Sequence, residues 1–212
     1  MNKQIDNEGE AFTQLREALQ SLSLRCKEAE GMWLLGGSSA LWLQGVQLHA
    51  APRDIDVYVD RNEADVLHHI LRDTALDEPR LDTSGCYVSQ LSHYRLNGMP
   101  VELVGGFEIK TEGGHYRTEV TDTLAPSAPT AELGEATLRL MPLAHEFIFN
   151  VLRSRPDRYL AIAEVIRRDP KRHMPLLFLL LKRNRWTSET IITMAELLNE
   201  PLLSADWGVL GE

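Results

Sequence analysis

The sequence predicts an α/β (α+β) fold, a mixed sheet flanked by helices, with a helical part following at the C-terminus. Three observations predict it. Apolar runs that read as strands alternate with helical patterns up to about residue 135, as at Trp33-Leu-Leu35, Asp54-Ile-Asp-Val-Tyr-Val-Asp60 and Met99-Pro-Val-Glu-Leu-Val104. From Leu143 onward the pattern is helical and is broken at Pro156, Pro170 and Asn184-Arg185-Trp186. With 212 residues, 43% of them hydrophobic, the chain is long enough to bury a substantial core. The expected division is therefore 1–135 and 136–212.

From Glu8 to Glu30 the chain reads as a helix with Phe12, Leu15, Leu19, Leu22 and Leu24 as its apolar stripe. Trp33 to Leu35 reads as a buried strand that stops at Gly36-Gly37. Ser38 and Ser39 then offer an N-cap to a short helix over Ala40–Gln44, ending near Gly45. A strand, two glycines and a helix start leave backbone N–H groups pointing at one spot, where a phosphate is favoured. Downstream, strict alternation sends Ile55, Val57 and Val59 to one face of a strand and Asp54, Asp56, Tyr58 and Asp60 to the other. Two carboxylates one pleat apart can share divalent cations, which prefer hard oxygen ligands.

Arg61-Asn-Glu-Ala-Asp65 opens a helix whose buried face is Ala64, Leu67, His68, Ile70 and Leu71, and Leu76–Ser84, polar and containing Pro79, reads as a loop. Cys86–Leu91 and Ser92–Leu96 are strand segments, Asn97-Gly98 is a hairpin turn, and Met99–Val104 is the returning strand. Its alternation turns Glu102 away from Val101 and Leu103. Glu108 is a competing carboxylate, but it follows Gly105-Gly106, where the strand is expected to bend or bulge. Gly113-Gly114 and Pro126–Pro129 mark turns, and Thr137–Met141 is a last strand. Helices are expected over Leu143–Arg153, Asp157–Arg168, Pro175–Arg183 and Ser188–Asn199, the last capped by Thr187 or Ser188.

No apolar run approaches the ~20 residues that span a bilayer, so no membrane partner is expected. The N-terminus is polar and acidic, unlike a signal peptide, and a cytoplasmic location is expected. Cys26 and Cys86 read as reduced structural thiols. The histidines, His68-His69 included, show no ligand spacing and read as surface or core residues. A net charge of −9 argues against a nucleic-acid partner, yet Arg139 to Arg185 is rich in Arg and Lys. A solvated helix face is the simpler explanation of that basic stretch. The Leu176–Leu181 run is expected to pack the helical part against the sheet or a second subunit, which leaves a homo-oligomer open.

An Asp-x-Asp alone is usually the wet face of an edge strand, and Gly-Gly-Ser alone is usually a turn. Together, in this order, they resemble the signature of the DNA polymerase beta-type nucleotidyltransferase superfamily. The matching positions are Gly36, Gly37 and Ser38, then Asp54 and Asp56, with Glu102 where the superfamily has a third acidic residue, commonly Asp. The Ser39–Arg53 stretch between the two halves is slightly longer than the commonest pattern. A weaker likeness covers Phe147–Ala161: Arg153, Arg155 and Asp157 suit it, whereas Asn150 stands where a Lys is expected and Ala161 where an Asp often lies.

The resemblance implies a nucleotidyltransferase-like fold and Mg²⁺-dependent transfer of a nucleoside monophosphate from an NTP to a hydroxyl, with pyrophosphate released. Asp54, Asp56 and Glu102 would hold two Mg²⁺ ions, and Glu102 could also take the acceptor proton. Gly36, Gly37 and Ser38 would hold the terminal phosphates, with Arg53 neutralising charge nearby. Three readings of the partner follow. The acceptor is a small hydroxylated molecule, as for antibiotic nucleotidyltransferases, or it is RNA or a protein, as for abortive-infection toxins. Alternatively the chain is an inactive nucleotide-binding or interaction protein of the same fold, as the changes at Asn150 and Ala161 allow.

Overall fold

The computed structural model describes residues 2–27 and 31–205, with side chains placed over 12–27 and 31–203. Helix α1 (Asn2–Arg25) buries Leu15, Ala18, Leu19 and Leu22, a spacing of three and four residues that lies on one stripe. Leu24, expected on that stripe, is 62% exposed instead. Two residues past Leu22, it comes round to the opposite side of the helix. Residues 28–30 of the expected helix lie outside the described residues.

Strand β1 (Trp33–Gly36) runs antiparallel to β2 (Ile55–Val59), with α2 (Gly37–Leu43) between them. The helix starts earlier than expected. Gly36 is its N-cap without a side-chain hydrogen bond, and Ser38 and Ser39 lie within the first turn. Gly37 has φ +60, which lets the chain leave the strand and enter the helix with no linker. A 3₁₀ turn (Arg61–Glu63) leads into α3 (Ala64–Leu71), whose buried residues are Ala64, Leu67, His68 and Leu71.

The segment expected to be a loop contains the short edge strand β3 (Arg80–Asp82). Its side chains are largely exposed, so it carries no apolar alternation to read. Strands β4 (Tyr87–Leu96) and β5 (Met99–Thr111) form the hairpin that Asn97-Gly98 announces, both turn residues having positive φ. β5 runs well past Val104. The expected irregularity at Gly105-Gly106 is a bulge: the register with β4 shifts there, and Gly106 takes φ +59.

Next come β6 (Gly114–Arg117), the two-stranded sheet of β7 (Thr130–Leu133) and β8 (Ala136–Arg139), and helices α4 (Leu143–Leu152), α5 (Pro156–Arg168) and α6 (Pro170–Arg183). Pro156 and Pro170, which read as breaks, are the first residues of α5 and α6, where the missing N–H costs nothing. α6 therefore starts five residues earlier than expected and carries Pro175 within it. The Asn184–Trp186 turn contributes β9 (Arg185–Trp186), and the chain continues through α7 (Ser188–Leu198) to α8 (Leu202–Ala205). Thr187 caps α7, accepting a hydrogen bond from the Thr190 amide.

Among the described residues the main sheet has the order β1-β2-β5-β4-β3, with β6 against the far half of β5 and β9 against β6. β2 and β5 are parallel, and the other pairs are antiparallel. Its two faces bury different cores. Ile55, Val57, Val59, Val101 and Leu103 meet α1 and α3, whereas Tyr58, Val104, Phe107 and Tyr116 meet Phe147, Ile148 and Leu177 of the helical part. Residues before and after 135 thus share the second core.

Candidate active site

The functional face of the sheet is set by strand register. Gly36 pairs with Asp56, Asp56 with Glu102, and Glu102 with His93, so four strands carry one continuous row across the sheet. Neighbouring strands lie about 4.8 Å apart, which places Asp56 and Glu102 side by side. In the next row Tyr58, Val104 and Leu91 are neighbours and close the apolar side of the site. Asp54 precedes β2 and is tied to α2: Ser39 Oγ donates to its carbonyl at 2.8 Å, and Ser38 Oγ approaches its carboxylate at 3.4 Å.

Over this face lies a cavity of about 360 Å³ whose lining includes Gly37, Ser38, Asp54, Asp56 and Glu102. Five of the seven residues expected at the site therefore meet in one place. Gly36 packs closely against Tyr58 and Met141 and does not line the cavity. Arg53 is exposed and does not line the cavity. Gly37 is held to glycine twice over, since a Cβ there would stand 1.8 Å from Asp56 Oδ2 and its φ is +60.

The helical part closes the cavity with Glu146, Phe149 and Asn150 of α4 and with Arg153, Arg155 and Arg158. Arg153 lies 4.5 Å over the Phe149 ring and 6.0 Å from the Tyr87 ring. Arg155 is clamped by Asp157 through bonds of 2.9 and 2.7 Å. Arg158 has a buried Nη1 with no hydrogen-bond partner among the described residues. Asn150 turns its amide back to the Glu146 carbonyl at 2.8 Å, and Ala161 lies away from the cavity.

Glu146 is the site residue that sequence reasoning passed over. It is 1% exposed and accepts a 2.8 Å hydrogen bond from the Gly37 amide. A signal for it existed: it is the one acid in Leu143–Leu152, a mostly apolar helix, and an acid there must find a partner when buried. Burial pushes its carboxyl up to about 7, against the Gly37 hydrogen bond and the charges of Arg153 and Arg158. Burial also pushes Asp56 up to about 8, helped by the charges of Asp54, Glu102 and Glu146.

Glu108, the competing carboxylate, is occupied elsewhere. It holds Arg117 at 2.9 Å and His115 at 3.0 Å on the far side of the bulge. Asp60 accepts from the Val120 and Thr121 amides and is structural. Beneath the site, burial keeps His145 neutral with its pKa lowered to about 3, paired through Nδ1 with the Tyr116 hydroxyl at 2.7 Å.

Burial and the charges of Asp54, Glu102 and Glu146 outweigh that of Arg153 at Asp56, and the hard oxygen donors of Asp54, Asp56 and Glu102 suit a divalent cation. Among the described residues no three such side chains already stand in coordinating geometry.

Two solved structures share this arrangement of elements. One is a candidate nucleotidyltransferase from Thermotoga maritima, 20% identical with a TM-score of 0.56, covering 72% of this chain and 90% of that one. The other is the antibiotic-resistance factor ANT(2'')-Ia, 10% identical with a TM-score of 0.51, covering 81% of this chain and 93% of that one. The fold is that of the nucleotidyltransferases. No family model and no curated protein matches the chain. Among the described residues no helix is long and apolar enough to cross a membrane.

Proposed function

We propose that the protein transfers a nucleoside monophosphate from an NTP to the hydroxyl of a small molecule and releases pyrophosphate. The observation that carries this reading is the convergence of Asp54, Asp56 and Glu102 with Gly37 and Ser38 on one side of a single cavity and three arginines on the other. Two Mg²⁺ ions held by Asp54, Asp56 and Glu102 would neutralise the phosphates and acidify the acceptor hydroxyl. Gly37 and Ser38 take the terminal phosphates, and Arg153, from the helical part, neutralises them. The acceptor O–H bond breaks with its proton passing to Glu102, the acceptor oxygen bonds to the α-phosphorus, and the bond to pyrophosphate breaks with the electron pair leaving on pyrophosphate. Positioning and charge neutralisation suffice for such a reaction.

A small acceptor is favoured over RNA because the basic stretch is largely spent locally. Arg183 is bidentate to Glu119, Arg168 pairs with Glu164, and Arg167 donates to the Leu197 carbonyl. The cavity's outer wall adds Asp82, Ser89 and Tyr87, which suits a hydroxylated cation. A second reading, nucleotide binding without turnover, is favoured by Asn150 in place of a Lys and by Glu146 on the Gly37 amide.

Calorimetric titration with each of the four NTPs and Mg²⁺ tests the proposal, on the wild type and on the Asp54→Ala/Asp56→Ala variant. Metal-dependent binding lost in the variant supports it and names the donor. Absence of binding to the wild type overturns it. Binding without pyrophosphate release in the presence of candidate acceptors, aminoglycosides first, favours the second reading.

A further inference from the structure

We infer that Glu146 sets the affinity of the phosphate subsite by competing for the Gly37 amide. The inference rests on the proposed role of Gly37 in holding the terminal phosphates. One N–H makes one good hydrogen bond, and the Glu146 carboxylate makes it at 2.8 Å. A phosphate oxygen reaching Gly37 has to displace that carboxylate, and two anions cannot share the donor.

The displaced carboxylate has a place to go. Arg153 and Arg158 are the cations whose charges act on Glu146, all three line the same cavity, and Arg158 Nη1 is buried with no hydrogen-bond partner among the described residues. Nucleotide binding therefore exchanges one hydrogen bond for another: Gly37 passes from Glu146 to phosphate, and Glu146 passes from Gly37 to Arg158. The side chain stays near its place because its backbone lies in α4 between the fully buried His145 and Phe147. After transfer, return of the carboxylate to Gly37 pushes pyrophosphate out. Glu146 is thus a positioning residue that weakens ground-state binding and speeds product release.

Calorimetry of Mg²⁺-pyrophosphate and of each Mg²⁺-NTP decides it, on the wild type, Glu146→Gln and Glu146→Leu. Glu146→Gln keeps the shape and removes the charge, and Glu146→Leu removes the acceptor as well. Both are expected to bind about tenfold more tightly than the wild type, since a charge-assisted hydrogen bond no longer has to be broken. A residue that merely supported the fold would weaken binding when replaced. An independent reading needs no variant: in glycine-labelled wild-type protein the Gly37 amide resonance is expected to shift when Mg²⁺-pyrophosphate is added.

Equal or weaker binding by both variants, or a Gly37 resonance unmoved at saturation, overturns the inference while leaving the nucleotide site standing. Failure of the wild type and both variants to bind pyrophosphate or any NTP overturns the proposed function and this inference together.

Discussion

Asp56 and Glu102 stand in register on the adjacent parallel strands β2 and β5, although 45 residues separate them in the chain. Parallel pairing needs a crossover, here through α3 and the β3–β4 hairpin arm, so no local rule brings these two carboxylates together. Burial first, then the charges of Asp54 and of Glu102 beside it, make a negative charge on Asp56 costly.

The first expectation concerns Asp56 and pH. Burial and the neighbouring carboxylates push its carboxyl up from 3.8 to about 8, so the folded protein holds this proton more tightly than the unfolded chain. Stability from this group is present below the unfolded value and is lost as pH climbs through that window. Asp56→Asn is expected to flatten the dependence and to raise the stability of the metal-free protein at pH 8 by ~1–3 kcal/mol, or roughly 2–4 °C of Tm per kcal/mol. Thermal melts of both proteins between pH 4 and pH 9 check this.

Glu102 and Glu108 are expected to separate cleanly. Glu102→Gln should lower kcat about 10²–10⁴-fold, the range for loss of a positioned base or charge, with the fold intact. Glu108→Gln should leave turnover near wild type, because Glu108 serves Arg117 and His115, and such partly exposed pairs contribute ~1 kcal/mol or less. Pyrophosphate release assays on the two variants distinguish them.

Gly37→Ala places a methyl 1.8 Å from Asp56 Oδ2 and forces an L residue into positive φ. Nucleotide binding should be lost, and stability should fall by ~1–3 kcal/mol. Denaturant melts and calorimetry together read both effects.

Tyr94 is fully buried, and its hydroxyl meets His68 Nδ1 and Ser92 Oγ, each at 2.8 Å. Tyr94→Phe strands both partners and should cost about 1–3 kcal/mol, with no change in kcat because the cluster lies on the sheet face away from the cavity. Chemical denaturation checks the first part and steady-state kinetics the second.

Much of this was legible in the chain itself. The alternation of Asp54–Asp60, the Asn97-Gly98 turn and the Gly105-Gly106 bulge are short-range patterns, and each is an element in the structure because backbone sterics and side-chain period act locally. The starts of α2 and α6 differ from the expected ones where one residue type serves two ends: serine fits a cap or a first turn, and proline fits a break or a helix start. β3 and β9 escaped notice because edge strands so short carry too few side chains to show a period.

By itself, then, the sequence determined the longer strands and helices and the alternation that puts Asp56 and Glu102 opposite the apolar residues of their strands, since those follow from spacings of two to four residues. Only the tertiary structure decided that Glu146, 109 residues from Gly37, occupies its amide, that Arg153 and Arg158 face the carboxylates, and that Arg53 stays outside. Those relations depend on how α4 and α5 settle on the shared core. Packing of that kind is fixed by the summed burial of many side chains, and no single stretch of sequence records it.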